Sequence, residues 1–207
     1  MHISEGVLAA PVLAGSAMLA AAGLAVGIRR LQPEQTVPSA MVAAVFFLAS
    51  LVHVPLGPSN VHLVLNGLVG LILGWRAFPA IFVALSLQAV LFQFGGLTTL
   101  GANTLIMAAP AVLCALVFQR LLISPRVRLV GLGAFLTGFV ALGLSGLIMA
   151  ACLALSGEAF LPLAWLVLLG HLPLMVVEGL ISLAAVNFLR KVKPEVLAFV
   201  QPAKSYI

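Results

Sequence analysis

Residues Leu129–Leu155 read LVGLGAFLTGFVALGLSGLIMAACLAL, without one charged side chain. A helix of this length runs about 40 Å at 1.5 Å per residue, more than the hydrocarbon thickness of a bilayer. Similar runs recur in both directions from it. The residues AVILMFWYC make up 63% of the 207-residue chain, charged residues only 7%, and aspartate is absent. A soluble domain of this size lacks the polar surface to cover so much apolar material. The chain therefore reads as an all-α, polytopic membrane protein, a single transmembrane domain over residues 1–207.

Seven spans follow from the apolar runs: Val7–Ile28, Val37–Val54, Val61–Trp75, Ala77–Phe94, Thr104–Leu122, Leu129–Leu155 and Leu163–Leu189. Between them lie RRLQPEQ, the Pro/Gly/Ser/Asn cluster HVPLGPSN, which reads as a loop, GGLTTLGAN (Gly95–Asn103), ISPRVR and SGEAFLP. Arg29, Arg30, Arg76, Arg120, Arg126, Arg128, Arg190, Lys191, Lys193 and Lys204 all fall at alternate ends of these spans. The positive-inside rule puts those ends in the cytoplasm, the N-terminus outside, and residues 190–207 in a cytoplasmic tail. A six-span arrangement with Val61–Trp75 re-entrant strands Arg76 and mixes the sides. The +5 formal charge is thus topogenic, not a nucleic-acid footprint. Cys114 and Cys152 sit inside apolar runs with no CxxC, as small hydrophobes do. No basic residues precede the first run, so it does not read as a cleavable signal.

The same topology puts His2, His53 and His62 at the outer surface and His171 in the outer part of the last span. The N-terminal MHISEG then stands out chemically. A free α-amine, the amide nitrogen of residue two and that residue's imidazole can chelate one metal through fused rings. Three planar nitrogens leave one equatorial place for another imidazole, a field suited to Ni(II) or Cu(II), with Co(II) also accommodated. Residues 1–6 thus form an extracytoplasmic metal-binding segment, which Gly6 lets fold back toward the bundle. His62 lies just inside an apolar run, where an unpaired imidazole is costly, so it qualifies as a ligand. His53 at a helix end reads more simply as an interfacial residue.

Three stretches, MHI-x-EG at the N-terminus, GPSNVHLVLNG after the second span and FQFGGLTTLGAN before the fifth, resemble the CbiM/NikM family across essentially the whole chain. That family comprises the substrate-capture (S) components of energy-coupling-factor (ECF) transporters for cobalt and nickel. The resemblance implies an S-component bundle in a bacterial or archaeal cell membrane, with Ni2+ or Co2+ as transported substrate. It implies as ligands the Met1 amine, the His2 amide and imidazole, and a histidine matching His62. Cobalt-type members lack a histidine at the place of His53, which leaves His53 behind the ligands or on the surface. Asn66, Thr98, Thr99 and Asn103 are placed to orient the ligands by hydrogen bonds. The ligand set is common to both metals, although GPSNVHLVLNG leans toward the nickel branch.

The chain carries no GxxxxGK[ST] loop, so ATP hydrolysis is expected from partner subunits: cytoplasmic ATPases working through a transmembrane coupling (T) subunit, with a small accessory membrane subunit as a further candidate. Ala17, Ala21 and Ala25, like Ala40 and Ala44, form small-residue stripes suited to close helix packing or to docking that subunit. His171 and Glu178, seven apart on one face, read as a polar pair facing the bundle. As a proton relay they would instead serve a self-sufficient secondary permease. A membrane enzyme has no support: neither HExxH nor a nucleophile–base pair occurs.

Overall fold

The computed structural model describes residues 2–56 and 59–197, the strand residues 53–56 and 59–62 by backbone alone. Met1, the side chains of His53 and His62, and Lys204 lie outside the described residues. Among the described residues, seven α-helices and one two-stranded antiparallel pair follow in order: α1 Ala10–Arg29, α2 Pro33–Ala49, β1 His53–Leu56, β2 Ser59–His62, α3 Asn66–Leu73, α4 Ala77–Phe92, α5 Leu100–Leu122, α6 Val127–Ser156 and α7 Leu161–Val192. Prolines sit in the first turns of α1, α2 and α7, where a missing N–H costs no helical bond. The Gln32 backbone N–H donates to Gln35 Oε1, closing a capping box at the start of α2. Gly157, with φ +151°, ends α6.

The helices alternate between two ends of one bundle, and α6 packs most broadly on α7 and α5. The N-terminal segment, the hairpin, the α4–α5 connection and the α6–α7 connection share one end. Arg29, Arg30, Arg76, Arg120, Arg126, Arg128, Arg190, Lys191 and Lys193 share the other. Among the described residues, five stretches are long and apolar enough to cross a membrane, counting Asn66–Phe92 as one. The bundle is also inverted in the way a lipid solvent demands. Leu19, Val45, Val90, Leu116, Leu155 and Leu169 are exposed, while Asn66, Gln88, Asn103, Thr137, Ser145 and Glu178 are buried inside.

Two sequence expectations change here. HVPLGPSN is not simply a loop: its residues pair as an antiparallel hairpin in which His53 faces His62 in register. The third span, Val61–Trp75, is helical only from Asn66, and the eight residues of α3 reach about 12 Å, too short to cross alone. Just before it, residues 63–65 are not helical, and Leu65 sits in the left-handed region at φ 53°. Glu178 of α7 explains the break. Its carboxylate accepts hydrogen bonds from the Val64 N–H at 2.6 Å and the Leu65 N–H at 2.8 Å. Non-helical backbone at this depth is tolerated because protein, not lipid, satisfies it. Two glycines then let α3 sink between its neighbours. A Cβ on Gly67 would stand 2.7 Å from the Gly138 Cα of α6, and one on Gly70 would collide with the Ala111 carbonyl of α5.

Candidate metal centre

The N-terminal segment does not trail from the bundle but folds over its end. Ile3, 2% exposed, is the anchor. Its N–H donates to Asn103 Oδ1 at 2.9 Å, and its carbonyl accepts from Asn103 Nδ2 at 3.1 Å. One side-chain amide near the start of α5 thus serves both backbone groups of one residue. The Asn103 Nδ2 also lies 3.3 Å from Thr99 Oγ1, whose hydroxyl donates to the Gly96 carbonyl at 3.3 Å. Two hydrogen bonds at about 1 kcal/mol each and a buried isoleucine at about 2 kcal/mol hold the segment against its chain entropy. Two more ties follow along it. Glu5 Oε1 accepts from the Thr98 N–H at 3.1 Å, and the Ala9 N–H donates to Ser156 Oγ at 3.1 Å.

The α4–α5 turn is shaped to receive that segment. Gln93 at φ 56°, Gly95 at φ +79° and Gly96 at φ +156° reverse the chain tightly after α4. Glycine is required at 95 and 96 for space as well as torsion. A Cβ on Gly95 would stand 2.8 Å from Asn103 Nδ2, and one on Gly96 would run into the Glu5 side chain.

This clamp delivers His2 to a polar niche at one end of the bundle. The His2 Nε2 lies 2.8 Å from Gln88 Oε1, and its ring meets Phe94 with centroids 6.0 Å apart. Gln88, fully buried near the end of α4, donates through Nε2 to Ser50 Oγ at 2.5 Å. Ser50, just past the end of α2, in turn donates to the Phe47 carbonyl at 2.7 Å. A chain of contacts therefore runs from the imidazole to the last turn of α2.

Of the residues singled out from sequence, His2, Thr98, Thr99 and Asn103 come together here, Thr98 through its backbone. Met1 and the side chains of His53 and His62 lie outside the described residues. The backbone hairpin does place residues 53 and 62 across from each other at this end. Asn66 is a correction. The sequence places it among the residues that orient the ligands, four positions after His62, but residue 62 is in a strand and the helix starts at 66. Its amide is occupied deeper in the bundle, donating to the Met107 carbonyl at 3.0 Å and to Ser145 Oγ at 2.8 Å. Nor are His171 and Glu178 a pair. His171 Nδ1 lies 2.5 Å from the Val167 carbonyl one turn back, whereas Glu178 is committed to the backbone of Val64 and Leu65 just before α3. Gln88 and Ser50 were missed, although Gln88, well inside the apolar run Ala77–Phe94, was a signal of a polar interior contact.

Among the described residues no three His, Cys, Asp or Glu side chains cluster as a ready metal cage. A site at this end would draw on backbone and terminal nitrogens as well as imidazole. Comparison with known proteins agrees with a metal-handling chain. A family model described as the cobalt uptake substrate-specific transmembrane region matches residues 2–196. A putative metal transport protein of Haemophilus influenzae is 44% identical over 203 residues, 95% of this chain and 97% of that protein. A putative fused nickel transport protein of Archaeoglobus fulgidus is 29% identical over 95% of this chain and 68% of its own length. A crystal structure of a transition metal transporter superposes with a TM-score of 0.75, at 26% identity, covering 93% of each chain. Matched from its second residue to the turn after its last helix, this chain belongs to the CbiM family of cobalt-uptake substrate-specific transmembrane proteins.

Proposed function

We propose that this chain is the metal-capturing S component of an ECF-type importer for Ni2+ or Co2+. The ion is taken at the end of the bundle that carries His2, which faces outward, through the Met1 amine, the His2 amide and imidazole, and His62. It is then handed inward with a transmembrane coupling subunit and cytoplasmic ATPases. The observation that carries this reading is the double grip of Asn103 on Ile3. Because the Ile3 N–H stays a donor to Asn103, deprotonated-amide chelation ends at residue two. That leaves a three-nitrogen set whose fourth place suits one imidazole. Beside the five-membered ring from amine to amide, the six-membered ring from amide to imidazole closes only through His2 Nδ1. The His2 Nε2 at Gln88 is consistent with that choice. The fused organisation of the Archaeoglobus relative supports a partner component beside the membrane bundle.

The test uses the position of the amine. One residue added before Met1 moves it while leaving every side chain in place. Purified unextended chain should bind Ni(II), and the extended chain should lose that binding by at least two orders of magnitude. Nickel bound in a planar four-nitrogen field should be diamagnetic. Tight binding by the extended protein, or a paramagnetic octahedral site, would defeat the reading. Uptake by cells should further depend on co-expressed ATPase and coupling subunits, and uptake by this chain alone would favour a permease.

A further inference from the structure

We infer that Gln88 and Ser50 set the tautomer of His2, holding its ring proton on Nε2 and its lone pair on Nδ1 before any metal arrives. The inference starts from a group whose role cannot vary. The Phe47 carbonyl in the last turn of α2 can only accept, and it lies 2.7 Å from Ser50 Oγ. The single hydroxyl proton of Ser50 is therefore spent on it. Two acceptors facing each other at that distance would repel. Ser50 Oγ can then only accept from its other close neighbour, 2.5 Å away, so the NH2 side of the Gln88 amide must be the side facing Ser50. That orientation points Gln88 Oε1 at the imidazole, 2.8 Å from His2 Nε2. An amide oxygen only accepts, so Nε2 must carry the hydrogen. Each step follows from donor and acceptor capacity, with the polarity passed from α2 through α4 to the N-terminal segment.

Burial makes the relay stiff. Ser50 and Gln88 are both fully buried, so water does not offer either amide face an alternative partner. The chain Phe94, stacked obliquely beside His2 at 6.0 Å, limits rotation of the ring. Nδ1 is the nitrogen that closes a six-membered chelate ring with the amide of its own residue. Gln88 is thus a positioning residue for the metal reading above, on which this consequence rests. The tautomer itself does not depend on it.

The experiment is nitrogen NMR of full-length, 15N-histidine-labelled, metal-stripped protein in nanodiscs, with the His2 signals assigned by their loss in His2→Ala. Spectra taken at rising pH, until the His2 signals no longer move, report the tautomer of the neutral ring. Wild type should show hydrogen on Nε2 and a bare Nδ1. In Gln88→Leu the tautomers should mix, and Ni(II) affinity should fall about 10- to 100-fold, as for loss of a ligand-orienting partner. Ser50→Ala touches neither the ring nor the metal, yet frees the amide to turn and should raise the Nδ1–H share. Ser50→Thr keeps the hydroxyl and should restore the wild-type pattern. A wild-type ring protonated on Nδ1 overturns the inference, as does a tautomer unmoved by both Gln88→Leu and Ser50→Ala. If Gln88→Leu does not fold, the wild-type ring and the two Ser50 variants decide alone. An Nε2–H tautomer in a protein that binds neither nickel nor cobalt would uphold the relay and refute the metal reading instead.

Discussion

Asn103 carries more of the N-terminal segment than any other side chain, since its amide meets both the N–H and the carbonyl of Ile3. Asn103→Leu keeps the volume and removes both bonds. The N-terminal groups can still reach water by lifting off, so the cost should be about 1–3 kcal/mol of stability, while the segment no longer holds its pose. Metal titration and thermal unfolding of the same samples separate the two. Affinity should fall at least tenfold while the melting transition moves only a few degrees. The histidines make a second residue-scale prediction: His62→Ala should abolish high-affinity binding and His53→Ala should weaken it little. Equally severe losses would mean that both rings contact the ion. The donors proposed in MHISEG stand out in the sequence because they are adjacent along the chain. Gln88 and Ser50 were not, because 86 and 48 positions separate them from His2 and only the fold brings them near.

At the scale of elements, the break before α3 is where the bundle departs most from a stack of uniform spans. VHLVLNG contains neither proline nor glycine until Gly67, and its local propensity favours helix through Leu63–Leu65. A carboxylate 113 positions away in sequence overrides that propensity by accepting the two N–H groups at Val64 and Leu65. No local pattern encodes such a contact, and so α3 read as a full span. Glu178→Ala should leave those N–H groups buried and unmet, at about 1–3 kcal/mol each. Glu178→Gln retains one acceptor oxygen and should recover much of that loss, with metal affinity close to wild type because the strand leading to His62 stays in place. A Glu178→Gln protein that folds and binds metal but fails to transport would instead speak for a proton relay at this position. Parallel measurement of unfolding, titration and uptake distinguishes these cases.

For the whole molecule, the ordering of charge was the most legible feature, because lipid imposes it on every span alike. Apart from the short α3, the helices run from one end to the other, and the described basic residues gather at a single end, opposite the N-terminal segment. The orientation we propose applies the positive-inside rule to that segregation: the His2 end outside, the basic end in the cytoplasm. Capture of an ion from outside requires it. Thr98 is exposed beside the N-terminal segment, and Ser124 lies between α5 and α6 at the basic end. Single cysteines at these two places, in a protein whose buried Cys114 and Cys152 are replaced by alanine, report the two faces. A membrane-impermeant maleimide added to intact cells should label Thr98→Cys and leave Ser124→Cys untouched until the membrane is opened. The opposite pattern would turn the bundle over. His2 would then face the cytoplasm, where the ion is delivered and not captured, and an uptake role for the Asn103 clamp would fail with it.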